Sequence, residues 1–241
     1  MFTPEDEKEL EQQADEASLI LLLLLFRGER RNRQKHTVDF DRQRGVFVLD
    51  GRRVSQATMQ KLLQKAEQIG KRRAKEHTNA LIAGRIDINE WHRRMSSTIK
   101  VSHLIAAGLA LGGINAARAD KNLAARINSE LSYLDGYRQD IINNKVSDAK
   151  KQSRSSSYFL AILVTFSWLE QILKTGLQKL VTDNNERRIV PFYTEARRYR
   201  RAKESCNGCR RFSGQWMPIR KMPPLGSLEC GSHCRCFIVY R

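Results

Sequence analysis

The sequence predicts a mainly α-helical protein: a helical bundle with a small N-terminal β-hairpin and a C-terminal Cys-rich β-hairpin. Three observations predict it. Apolar residues recur at three- and four-residue spacing from Ser55 onward, the period of a helix with one buried face. Two short runs of β-formers, Thr37-Val38-Asp39-Phe40 and Val46-Phe47-Val48-Leu49, bracket Arg44-Gly45. All five cysteines lie in the last 36 residues. The chain divides accordingly into a helix plus hairpin (1–54), a helical body (55–203) and a Cys-rich hairpin (204–241).

The elements follow in order. Thr3-Pro4-Glu5-Asp6 supplies a cap, a proline suited to the first helical position, and acids facing the positive helix end. That helix is expected to run to about Phe26, polar first and then apolar on every side over 19–26. Such a surface must insert into this protein's core or into a partner. The hairpin turns at Arg44-Gly45, and Asp50-Gly51 follows it. Met59, Leu62, Leu63, Ala66 and Ile69 then mark a helix, with a kink expected at Gly70 and a break at Gly84-Arg85. Asp87-Ile88-Asn89-Glu90 is a capping box for a helix through Trp91, Met95, Ile99 and Leu104, ending at Gly112-Gly113. Asp120 caps a helix to about Ile142. Ser147 caps the longest one, to about Val181. Pro191 opens a last, strongly basic helix containing Arg197, Arg198, Arg200, Arg201 and Lys203.

Composition narrows the function. The 241 residues carry 43 Lys plus Arg against 26 Asp plus Glu, a net charge of +17, with 41% hydrophobic residues. That excludes collagen-like and wholly disordered chains. No segment reaches the roughly 20 apolar residues that span a bilayer, and no basic leader precedes the 19–26 stretch. The expectation is a protein neither secreted nor membrane-spanning. Residues 1–16 hold seven acids and one Lys, whereas 187–241 hold thirteen Lys or Arg and three acids. An excess of this size attracts polyanions, of which DNA and RNA are the commonest. The other reading of Arg197 to Arg201 is a solvated face packed beside the cysteine hairpin.

The tail carries the sharpest motif. Cys206-Asn207-Gly208-Cys209 is a C-x-x-C turn, and Cys230-Gly231-Ser232-His233-Cys234-Arg235-Cys236 follows twenty residues later. Two thiolate pairs brought together by a hairpin surround a tetrahedral ion such as zinc. Four of the five cysteines suffice for one ion, which leaves His233 a bystander. Two disulfides with a leftover thiol are the alternative, and reduced structural cysteines a third. No P-loop, G-x-G-x-x-G, G-x-S-x-G or H-E-x-x-H occurs, and no carboxylate cluster converges. The chain is expected not to be an enzyme.

On these residues the chain resembles a known family. Gly84-Arg85-Ile86-Asp87 through Trp91, Met95, Ile99 and His103, then Ala107-Gly108-Leu109-Ala110-Leu111-Gly112-Gly113, is similar to the central block of phage head-morphogenesis proteins, the Mu F-like minor head proteins. Leu131-Ser132-Tyr133-Leu134 resembles the same block. Cys206-x-x-Cys209, Trp216-Met217-Pro218-Ile219, Pro223-Pro224-Leu225-Gly226 and Cys230-x-x-x-Cys234-Arg235-Cys236 resemble the family's closing motif. Many relatives carry His where Cys230 aligns, an exchange that preserves metal-ligand capacity. The resemblance spans roughly 84–241. It implies a non-enzymatic virion component of a multi-subunit assembly, contacting portal and capsid proteins beside packaged double-stranded DNA. It implies residence in the virion, and in the host cytoplasm during assembly, with no membrane partner. Arg197, Arg198, Arg200, Arg201 and Lys203 are then the groups nearest phosphates, binding without sequence preference. The competing class is a nucleic-acid-binding zinc protein acting as a regulator, which would read bases in a groove.

Overall fold

A computed structural model describes residues 38–183, 186–200, 206–231, 234 and 236–241. The helix expected before Phe26 lies outside them. The described chain is mainly helical, with small antiparallel sheets near both ends, as the sequence predicts.

Strands β1 (Val38–Asp41) and β2 (Val46–Leu49) pair in the expected hairpin, and a short β3 (Arg52–Arg53) extends it to three strands. Asp50 and Gly51, at φ 49° and 76°, form the two-residue turn between β2 and β3. Positive φ at both central residues matches the right-handed twist of the strands, which is why Asp-Gly stands there.

The body is built on α2 (Ile88–Leu111), whose residues 101–110 are all buried. It packs against α1 (Gln56–Ile82), α4 (Lys121–Ile142) and α6 (Ala161–Gly176), with the short α3 (Ile114–Arg118) at its end. The caps expected at Asp87 and Asp120 form, and Ser55 caps α1. Ser55 accepts from Thr58 N at 3.1 Å, Asp87 from Asn89 N and Glu90 N at 2.8 Å each, and Asp120 from Leu123 N at 2.9 Å. Ser147 precedes α5 (Asp148–Ser157) but makes no side-chain cap bond. Gly112, at φ 91°, ends α2 in the left-handed conformation that a side chain strains to adopt.

The helix α1 continues unbroken through Gly70, and the ring of Phe159 lies against the glycine, so closely that a Cβ would overlap it. Gly70→Ala is therefore expected to destabilise the protein by about 1–3 kcal/mol, the cost of overpacking a filled core, despite Ala's better helix propensity. Chemical denaturation measures it; a stabilised variant would refute the packing account.

The helical run Asp148–Gly176 has the length and apolar composition of a membrane span. Its most apolar window is 56% buried, and α6 buries Thr165, Ser167, Gln171 and Lys174 as well as Ile162, Phe166 and Leu169. It is the second core helix of the body, packed on α2. It ends at Gly176, short of the expected Val181. Gln178–Asp183 and Glu186–Pro191 form β4 and β5 instead, a hairpin whose described residues are largely exposed.

His103 sits in this core, its Nδ1 2.9 Å from Thr165 Oγ1. Burial, and then the Arg126 charge, hold its pKa down to about 3. Between that value and the 6.5 of an exposed histidine, the unfolded chain binds a proton that the folded chain does not. Stability is thus level above pH 6.5 and falls as pH drops below it, by roughly 1 kcal/mol per unit from this group. Urea unfolding at pH 7 and pH 5 checks the slope, and His103→Gln should remove that share of it.

The sequence expected a helix after Pro191, and the structure has a strand there. The segment Glu195–Tyr199 is β6, the central strand of a sheet ordered β7-β6-β8, with β7 (Trp216–Pro218) and β8 (Phe237–Tyr240) antiparallel to it. Its burial alternates, Ala196 and Arg198 inward and Glu195, Arg197 and Tyr199 outward, the period of a pleated strand. The Cys-rich unit thus recruits residues ahead of 204.

Tyr193, Ala196, Cys209, Ile219, Met222, Leu225 and Ile238 form a second core, joined to the body by Val164 of α6. Two side chains stitch the unit on. Gln171 Nε2 donates to Met222 O at 2.7 Å, and Gln56 Nε2 to Ile238 O at 2.6 Å. Buried Lys174 ties in the N-terminal hairpin, donating to Gly45 O at 2.6 Å and Arg44 O at 3.0 Å.

Candidate metal centre

The C-x-x-C turn folds because Asn207-Gly208 starts a five-residue helix, α7 (Asn207–Arg211), with Cys206 as its cap. Cys206 Sγ accepts from Cys209 N at 3.3 Å, so both sulfurs turn to the same side. Glu229 anchors the turn from the other cysteine segment: its Oε2 accepts from Gly208 N at 2.9 Å, and that bond holds its carboxyl below the usual range. No feature of the sequence had marked Glu229.

The five cysteines converge, and all are free. Two overlapping triads form, Cys206 with Cys209 and Cys230, and Cys209 with Cys234 and Cys236; within each, the sulfurs lie within 4.8 Å of one another. Cys209 belongs to both. Its sulfur is 3.6 Å from that of Cys230 and 3.9 Å from that of Cys234. A disulfide needs about 2.0 Å. Four sulfurs at 2.3 Å from one tetrahedral ion stand roughly 3.8 Å apart. The Cys209–Cys230 and Cys209–Cys234 separations match that spacing, and each triad offers three sulfurs that could hold a metal ion.

Proton positions agree with that chemistry. Cys234 is held down to about 4, chiefly by the hydrogen bond its sulfur shares with Cys236. Cys236 is pushed up chiefly by the same bond, and burial pushes up Cys209 and Cys230. A divalent ion would remove the barrier to ionising the rest and displace their protons.

Arg198 completes the arrangement. It is 0% exposed, and its Nη1 lies 3.3 Å from Cys209 Sγ. Its Nη2 donates to the carbonyls of Pro223 and Pro224, fixing the turn between the two cysteine segments. A buried guanidinium must face negative charge, and the atoms it faces are a sulfur and two carbonyls. A thiolate cluster meets that requirement. Arg198 is therefore a partner of the cysteine cluster and out of reach of a phosphate, which corrects its assignment to a nucleic-acid surface. Among the other four predicted cations, Arg197 is half-buried and lies over the Tyr199 ring at 4.9 Å, and Arg200 is exposed. Arg201 and Lys203 lie outside the described residues, as does His233.

No family model matches the chain, and no curated protein or solved structure matches it.

Proposed function

We propose that the chain is a non-enzymatic structural component of a phage particle, a minor head protein working beside the portal and the packaged double-stranded DNA, with one zinc ion clamping its tail. The observation that carries this reading is the cluster of five cysteines, three of them buried, faced by Arg198 and stitched to the helical body. Four thiolates around one ion leave no open coordination position, which is the signature of a structural site rather than a catalytic one. Soft sulfur ligands in a tetrahedral spacing favour zinc over harder cations. Cys209 and three of Cys206, Cys230, Cys234 and Cys236 would hold it. The ion supplies what a sheet of three short strands lacks, a rigid core.

The resemblance over 84–241 supplies the particle, the portal and capsid partners, and assembly in the host cytoplasm. The net charge of +17 suits a surface beside DNA. Arg200 is exposed, and Arg197 is half-buried over the Tyr199 ring. The regulator alternative needs a helix long enough to enter a groove. Among the described residues the tail's α-helix is α7, five residues, and it is committed to the cysteine turn.

Mass spectrometry of purified particles and procapsids tests the proposal. The chain is expected in few copies per particle, with one zinc per chain. Duplex binding should be indifferent to sequence and fall steeply with salt. Absence from both particles, or strong preference for one duplex sequence at physiological salt, would overturn it.

A further inference from the structure

A cavity of about 530 Å³ opens between the N-terminal sheet, the helices α1, α2 and α6, and β8. Its wall is mostly apolar, with Phe40, Phe47, Met59, Leu63, Leu163 and Ile238 among its residues. An engineered cavity of about 150 Å³ already holds a benzene ring. This one has room for a row of side chains. Among the described residues nothing fills it.

The same chain has an apolar stretch that needs cover. Residues 19–26 are Leu19, Ile20, five consecutive leucines and Phe26, without a polar residue. Eight such side chains left in water would make the protein associate. The distance fits. Eleven residues separate Phe26 from Val38, a reach of up to roughly 40 Å when extended. The described chain enters at β1, where Phe40 is itself part of the cavity wall. Any other occupant competes with a segment tethered at the rim, whose effective concentration is set by that short connection.

Charge points the same way. The residues before the apolar stretch carry seven acids and one Lys, in a chain whose total is +17. Arg53, exposed and part of the cavity lining, and Arg52 beside it offer cations at the rim. We propose that the cavity is the docking site of this chain's own 19–26 segment, which closes the core between the hairpin and β8. The inference does not depend on the phage reading or on the metal.

The test is photo-crosslinking in the full chain, with p-benzoylphenylalanine replacing Leu22, and separately Leu24. Mass-spectrometric mapping is expected to place adducts on cavity residues such as Met59 and Leu163, at monomer mass. Adducts only between chains, only to a co-purified protein, only outside the cavity, or none at all would overturn the proposal. A second measurement is independent of the crosslinker. L21D/L24D should raise the fluorescence of added anilinonaphthalene sulfonate several-fold by uncovering the cavity. Unchanged fluorescence in a folded variant would also overturn it.

Discussion

Replacing Cys209 with Ser is expected to abolish stoichiometric metal binding and unfold the C-terminal unit while the helical body remains. The reason is geometric. Cys209 is the cysteine shared by the two triads, so its loss breaks both at once. It is also 1% exposed, and Arg198 lies 3.3 Å from its sulfur. Structural zinc supplies on the order of 10 kcal/mol in small zinc-dependent units, more than a sheet of three short strands can replace. The loss in affinity should exceed the ~10–100-fold typical of an outer-shell partner. Cys206→Ser and Cys236→Ser each remove a sulfur from one triad only, and at least one of them should retain one ion per chain. Elemental analysis with free-thiol counting on native protein measures this. A C209S protein that keeps one ion and a protected tail would sink the metal reading.

Arg198→Met is expected to weaken metal binding by ~10–100-fold and to lower the melting temperature of the tail. Three acceptors lose their donor at once: Cys209 Sγ and the carbonyls of Pro223 and Pro224. Each buried acceptor left unpaired costs about 1–3 kcal/mol, and a thiolate-bound ion with net negative charge loses its counter-ion. Arg198→Lys should not restore the wild-type value, because one ammonium cannot span a sulfur and two carbonyls as the planar fork does. Arg197→Ala and Arg200→Ala, at a half-buried and an exposed neighbour of Arg198, should leave metal content unchanged. Titration against a chelator of known affinity decides it. If R198M held its metal normally but lost DNA affinity as Arg200→Ala does, the buried assignment would be wrong.

Arg197 and Arg198 show why part of the site could not be read in advance. The run Glu195-Ala196-Arg197-Arg198-Tyr199 has no apolar period of its own. A run rich in Arg reads as a solvated helix on propensity and charge. What makes it a strand is pairing with β7 and β8, seventeen and more residues downstream. Pairing then sends alternate arginines to opposite faces. Gly70 shows the same limit. A glycine within a helix reads as a weak point, whereas the ring of Phe159, distant in sequence, makes its missing Cβ a requirement.

Other features are local and were legible. Asp87 and Asp120 cap helices because a side-chain oxygen satisfies an amide two or three residues away. The hairpin at Arg44-Gly45 and the stop at Gly112 follow from backbone angles that few residues adopt. The crowding of five cysteines into the last 36 residues announced a crosslinked or metal-bound unit. By itself, then, the sequence determined the helical body, its caps, the first hairpin and the chemistry of the tail, since each depends on short-range periodicity or composition. Only the tertiary structure decided which sulfurs meet, that Arg198 is buried against Cys209, and that an apolar cavity stands open beside β1. These depend on surfaces that come together when distant segments pack, and no local pattern encodes that meeting.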